Sequence, residues 1–215
     1  MIEQKLTLLY QDRQLVVVDK PGGLLAVPGR GPDKQDCVAS RVRHLVPECI
    51  DQPAVHRLDM DTSGLMVLGL TREAHRHLSI QFAQRRVEKR YLALVDGLVA
   101  GEQGEIRLRF RLDPDNRPRQ VYDPVHGKLG ITLWRNRGIV SGGSLIEFTP
   151  LTGRTHQLRL HAAHRLGLGV PIVGDRLYGL GRHGDALYLH AGWLRFSHPL
   201  TGRLLSFSSP APFLV

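Results

Sequence analysis

The sequence predicts an α+β fold with a mixed, mostly antiparallel central sheet and flanking helices and loops. Two observations lead there: strand-sized β-branched runs joined by hairpin-like turns outnumber the helical patterns, and one stretch, Glu105–Arg111, alternates strictly between charged and apolar residues. A doubly wound parallel sheet would need a helix between most pairs of strands, and too few helical patterns are present.

The elements follow in order. Leu15–Asp19 is a β-branched run that stops at Pro21-Gly22-Gly23, a strand ending in a turn. Asp36 is placed to cap a helix whose apolar positions Val38, Val42 and Leu45 fall at i, i+4 and i+7, ending before Pro47. Leu65–Leu70 reads as a buried strand, and Thr71 caps a second helix with Ala74, Leu78 and Phe82 on one face. Arg90–Val95 is another strand. In Glu105–Arg111, Ile106, Leu108 and Phe110 face one side, while Glu105, Arg107, Arg109 and Arg111 face the other. That period of two predicts a half-buried strand with an arginine-rich open face. Asp113–Asp123 is Pro-rich and basic, a loop by composition. Leu145–Pro150 is a strand, and Thr155–Leu166 a helix with Leu158, Ala162 and Leu166 inward and Gly167 past its end. Leu187–Phe196 and Leu204–Phe207 are strands around the turn His198-Pro199-Leu200-Thr201-Gly202. No repeat or linker-like shift interrupts the chain, so residues 1–215 read as a single domain.

Composition narrows the partners. A net charge of +9 and a pI near 10.1 favour a polyanion, and 6% aromatic residues argue against an open platform that stacks many bases. Cys37 and Cys49 stand alone, without the pairs that a disulfide framework or zinc ribbon requires, so reduced thiols in a cytoplasmic protein are expected. The N-terminus lacks the pattern of a signal peptide, and the longest apolar runs are strand-sized, so no membrane span is expected.

Several chemistries are excluded. There is no G-x-x-x-x-G-K-[ST] and no G-x-S-x-G. Gly167-Leu168-Gly169 has Ile172 where a dinucleotide motif needs its third glycine, and it follows a helix rather than a strand. His156, His161 and His164 share one helical pattern without H-E-x-x-H, so a helix-surface or RNA-facing role is expected for them rather than a metal site. What remains is His56-Arg57-Leu58-Asp59-Met60-Asp61-Thr62-Ser63-Gly64, just before a buried strand. An isolated aspartate there would be an ordinary polar turn. Here Arg57 and Asp59 put both charges at one strand rim, and Thr62-Ser63-Gly64 can hold the loop rigid. Downstream, Gly153-Arg154-Thr155-His156-Gln157-Leu158-Arg159 puts Arg154 at the entry to a helix, suited to hold phosphate or orient Asp59.

These stretches resemble the motifs of the RluA-like pseudouridine synthases. H-R-L-D-M-D-T-S-G is similar to the segment around the family's catalytic aspartate. Arg90-Tyr91-Leu92-Ala93 resembles the second motif and G-R-T-H-Q-L-R-L-H the third. D-K-P-G-G-L-L-A-V-P-G-R near the start, P-I-V-G-D-R-L-Y-G at Pro171–Gly179 and L-H-A-G-W-L at Leu189–Leu194 agree in order, from about Leu6 to Phe213. Val27-Pro28-Gly29-Arg30 and Asp115-Asn116-Arg117-Pro118-Arg119-Gln120 resemble the short, dual-specificity members that modify 23S rRNA and the tRNA anticodon stem-loop, without an S4-like RNA-binding module in front. Lys128-Leu129-Gly130-Ile131 departs from the Lys-Pro-Ala pattern of the family.

The resemblance implies a catalytic domain with its active-site cleft across the sheet, converting uridine to pseudouridine without cofactor or metal. Asp59 would be the catalytic carboxylate, ionised whether it adds to C1′, attacks C6 or takes a C2′ proton. Arg154 would pair with it. Tyr91 would stack on the target base with its hydroxyl near C5, and Arg57 would enter the space vacated by the flipped nucleotide. Arg107, Arg109, Arg111, Arg117 and Arg119 would contact RNA phosphates. The expected partner is rRNA and/or tRNA, not DNA or membrane, and the expected state is a monomer. The competing readings are a pseudouridine synthase for another tRNA or rRNA site, a nucleic-acid base glycosylase and a non-catalytic rRNA-binding assembly protein.

Overall fold

The computed structural model describes residues 6–214, and the chain divides into two compact units: Met1–Lys89 with Ala191–Val215, and Arg90–His190. The fold is α+β with mostly antiparallel strands, as the sequence predicts.

In the first unit, β1 (Thr7–Gln11), β2 (Leu15–Lys20), β3 (Ser63–Gly69) and β9 (Leu189–Ser197) lie side by side, and β10 (Leu204–Ser208) pairs with β9. β1 with β2, β2 with β3, and β9 with β10 run antiparallel. Leu15, Val17, Leu65, Val67, Leu78, Leu194 and Phe196 form the core of this unit. Because β2 and β3 are buried on both faces, they read as continuous apolar runs rather than alternating ones. The helix α2 (Arg72–Ala83) is capped as expected: Thr71 Oγ1 accepts from the Ala74 amide at 3.1 Å, a contact contributing about 1 kcal/mol.

The helix α1 (Val38–Leu45) forms, but with a different cap. The Cys37 sulfur accepts from the Ser40 amide and the Ser40 hydroxyl from the Cys37 amide, while Asp36 makes a bidentate pair with Arg41. Leu45 is exposed, and Val46, the residue that ends the helix, turns inward in its place.

In the second unit, β4 (Glu88–Val95), β8 (Gly143–Pro150), β7 (Lys128–Val140), β5 (Gln103–Leu112) and β6 (Gln120–Tyr122) form an antiparallel run in that order. β5 alternates as read: Ile106, Leu108 and Phe110 are buried in the core with Ile146, Phe148, Leu158 and Leu160. Two strands of this unit escaped the pattern, as did β1 in the first. β6 lies inside the Asp113–Asp123 segment, and β7 is interrupted by Gly130, Gly138 and charged residues, with an irregularity between Asn136 and Ile139.

The last helix, α3 (Gln157–Ala163), is shorter than the Thr155–Leu166 expected. His156 before it is left-handed, with φ 54°, and the Gly167 amide turns back to His164 O. A Cβ on Gly167 would stand 1.9 Å from His161 O, so only glycine lets the chain fold across this helix end. Leu166, expected inward, is exposed beyond the helix.

Candidate active site

The register Lys20↔Gly64 between β2 and β3 brings the Pro21-Gly22-Gly23 turn against the loop that carries Asp59. The Lys20 side chain is fully buried, and Nζ donates to Pro21 O (2.8 Å), Leu24 O (2.7 Å) and Met60 O (2.8 Å). Burial pushes this ammonium down to about 7, against the pull of the Asp61 and Asp59 carboxylates. Three carbonyl acceptors match all three ammonium hydrogens, so the geometry suits the charged form.

Met60 O also accepts from the Gly23 amide at 2.9 Å, and Asp59 O accepts from the Thr62 amide at 3.2 Å. The backbone is thus pinned on the C-terminal side of Asp59. A Cβ on Gly22 would come within 3.1 Å of Asp61 O, and one on Gly64, at φ 113°, within 2.5 Å of the Ala191 carbonyl oxygen. These close approaches explain the glycines on either side of the loop. On its N-terminal side, His56 Nε2 accepts from the Val67 amide at 3.1 Å and its ring stacks on Phe82, centroids 4.4 Å apart. Burial, with a smaller contribution from the Lys89 charge, pushes the His56 imidazole down to about 3, consistent with a neutral acceptor. Asp59 is half-buried and Arg57 is exposed on this loop.

Tyr91 and Arg154 belong to the second unit. Tyr91 sits opposite Phe148 on β4, half-buried, and packs on the core of that unit. Arg154 is exposed on the turn before α3, and its Nε lies 3.4 Å from Leu129 O. A seven-residue helix that starts only at Gln157 has little dipole to offer an anion, so Arg154 itself, rather than a helix end, is the electropositive group here.

The Arg154 backbone is held by Gln157, a residue whose role nothing in the sequence marks out. Gln157, buried, accepts at Oε1 from the Arg154 amide (3.0 Å) and the Thr152 hydroxyl (2.7 Å). Its Nε2 donates to Ile131 O (3.0 Å) and Thr132 Oγ1 (2.9 Å), so all of its polar capacity ties the turn to β7. Arg159 and Asp175, both buried, form a bidentate pair at 2.7 Å through each nitrogen. Gln157 and Arg159 lie inside the third motif, and Asp175 and Lys20 in the flanking ones. Their signal was present as motif membership, but single-residue roles were not legible.

The five arginines expected to face RNA are exposed. Arg107 is paired with Glu105 at 3.0 Å, Arg111 with Asp123 at 2.6 Å, and Arg109 donates to Gly127 O at 3.2 Å. The His126 amide and Arg111 together hold the Asp123 carboxyl down at about 2, so Arg111 faces a permanent anion. Arg119 lies over the Tyr178 ring, 5.7 Å from its centroid. The helix-surface role expected for the histidines is corrected: His156 and His161 are buried and His164 half-buried. His161 meets Phe110 edge-on, and its ring nitrogens have no hydrogen-bond partner among the described residues. Burial, with a smaller contribution from His164, pushes its pKa down to about 4. No cluster of potential metal ligands occurs among the described residues.

Comparison with known proteins places this arrangement. Residues 14–164 match the family described as RNA pseudouridylate synthase, and the chain belongs to that family. It is an RNA-modifying isomerase. It is 42% identical over 219 residues to the dual-specificity RNA pseudouridine synthase RluA of Haemophilus influenzae, spanning 99% of this chain and 96% of that one. The protein of the same name from Escherichia coli is 39% identical over 215 residues, spanning 98% and 95%. Among solved structures, human RNA pseudouridylate synthase domain containing 1 superposes with a TM-score of 0.77 at 30% identity, covering 97% of this chain and 84% of that one. Human RNA pseudouridylate synthase domain containing 4 gives 0.75 at 24%, covering 97% and 89%, a likeness of fold.

Proposed function

We propose that this chain isomerises a uridine to pseudouridine in a stem-loop of 23S rRNA, in the tRNA anticodon stem-loop, or in both, with Asp59 as its catalytic carboxylate. The observation that carries this reading is the loop around Asp59, clamped by Lys20 and Gly23 through Met60 O and by His56 through Val67. Such a loop holds one carboxylate in one place, which is what a reaction at a single ribose carbon requires. The relatives named dual-specificity support the choice of substrates.

In the reaction the C1′–N1 bond breaks, the uracil turns, and a C1′–C5 bond forms. N1 gains a proton and C5 loses one, so no external electrons or groups are consumed. Asp59 acts as an ionised group at the sugar. Tyr91 stacks on the target base, Arg154 supplies the positive charge expected to pair with Asp59, and Arg57 fills the gap left by the flipped nucleotide. Extruding a stacked base costs roughly a few kcal/mol, part of which a flat cation offsets. The exposed arginines, Arg117 and Arg119 foremost, hold phosphates. Residues 1–215 serve as a single catalytic domain, working as a monomer in the cytoplasm.

The test is Asp59→Asn, assayed on a helix 35 hairpin of 23S rRNA and on an anticodon stem-loop. It should fold and bind RNA but make no pseudouridine. Turnover within about tenfold of the unmodified enzyme, only ~1.4 kcal/mol of barrier, would sink the assignment. Release of free uracil would instead mark a glycosylase.

A further inference from the structure

Tyr178 stands between two segments assigned to the substrate, and neither its motif nor the proposed chemistry gives it a role. Its hydroxyl accepts from the Gln120 amide at 2.7 Å and lies 3.0 Å from His156 Nδ1. A phenol has one proton. With the amide donating in, the oxygen keeps a second lone pair and the proton, so it meets His156 Nδ1 as acceptor or donor according to the imidazole tautomer. On one side, Gln120 follows the Arg117–Arg119 segment, whose Arg119 amide donates to Asn116 O at 2.8 Å. On the other, His156 is the left-handed residue that ends the Arg154 turn, next to the Gln157 that holds the Arg154 amide.

The ring of Tyr178 is fixed from both sides of the network. The Arg159 guanidinium lies 5.4 Å from its centroid and that of Arg119 5.7 Å. Arg159 is locked in turn by its buried bidentate pair with Asp175, and Asp175 Oδ1 accepts the amides of Leu177 (2.9 Å) and Tyr178 (3.1 Å). Tyr178 is therefore anchored by its own backbone, and its side chain has little freedom with which to follow either segment alone. A residue so held transmits order rather than absorbing it.

We propose that Tyr178 is a positioning residue that couples the Arg117–Gln120 segment to the Arg154 turn, so that gripping the RNA and presenting Arg154 are one event. This rests on the reading of those segments as substrate contacts. Tyr178 itself need touch no RNA. Its hydroxyl is the joint, and its ring is the seat for Arg119.

The test compares Tyr178→Phe, which keeps the ring and removes the joint, with the unmodified enzyme in two readouts. In hydrogen exchange without RNA, amides of both 115–120 and 152–157 should exchange about tenfold faster or more in Tyr178→Phe, while those of β2 and β3 stay unchanged. Acceleration of one segment alone, or of neither, overturns the coupling whatever the chemistry of the site. In kinetics on the stem-loop, Tyr178→Phe should raise KM and lower kcat by severalfold each. In an Arg117→Ala, Arg119→Ala background, the KM effect should vanish and the kcat effect remain. KM effects that multiply in the triple variant, or kcat and KM within twofold of the unmodified enzyme, also overturn it. An active Asp59→Asn would be a separate failure, that of the catalytic assignment, and leaves the exchange result to decide the coupling.

Discussion

The Asp59 loop and the Arg154 turn are both short irregular segments held rigid, but by different chemistry. The first is held through backbone carbonyls that converge on one buried ammonium, Lys20, reinforced by a neutral imidazole, His56. The second is held by a neutral amide, Gln157, that exchanges four hydrogen bonds, with a buried ion pair further along the same helix. The difference teaches where each is fragile. A charge shared by three carbonyls fails all at once when it is removed. A neutral hub loses its bonds without leaving a charge behind.

The largest effect should come from breaking the first hub. Lys20→Met keeps the length and removes the donors, taking a partner from Pro21 O and Leu24 O and leaving Met60 O with the Gly23 amide, at a cost on the order of 3 kcal/mol in urea unfolding. A loss below about 1 kcal/mol would show that the lysine is no strut. Gln157→Leu should cost less, on the order of 2 kcal/mol, and should lower kcat of the folded enzyme by freeing the Arg154 backbone. If stability falls while kcat and KM hold, the amide supports the fold but not Arg154.

Acid probes the units more gently through two histidines that burial pushes well down, His56 in the first and His161 in the second, where burial also lowers His164. Both have folded pKa values below the ordinary value near 6.5, so below that pH the unfolded chain binds the extra protons. Stability should be unaffected by these groups above pH ~6.5 and should fall as pH drops toward their folded values, by at most ~1.4 kcal/mol per pH unit for each. His161→Leu should be nearly neutral at pH 7, since the ring nitrogens bond nothing among the described residues, and should flatten the acid limb. An unchanged limb, followed by circular dichroism from pH ~7 to ~4.5, would assign the acid sensitivity elsewhere.

The smallest change should be in RNA affinity. Arg117→Ala with Arg119→Ala should raise KM more than it lowers kcat, and should reduce the salt slope of binding by roughly 0.7 to 0.9 for each phosphate no longer neutralised. Arg107→Ala and Arg111→Ala should change that slope less, because their guanidinium groups already face Glu105 and Asp123. The reverse order would mean that the open face of β5, not the 113–123 segment, follows the RNA.

The sequence by itself determined the fold class, the buried strands β2 and β3, the alternation of β5, the Thr71 cap and the motif around Asp59, because each is written in local order. Periodicity shows which face is buried, and a motif keeps its residues together. What depends on a neighbour distant in the chain, or on a competing partner, was misplaced. Cys37 rather than Asp36 caps α1 because Arg41 claims the aspartate. α3 stops early because Gly167 lets the chain cross its end. Lys20, in the sequence only one letter of the D-K-P-G-G flank, gains its role when Leu24 and Met60 are folded around it. Gln157 and Tyr178 look like ordinary polar residues until β7 and the 113–120 segment arrive beside them. A hydrogen bond joins atoms that are close in space, and only the tertiary structure decides which residues those are.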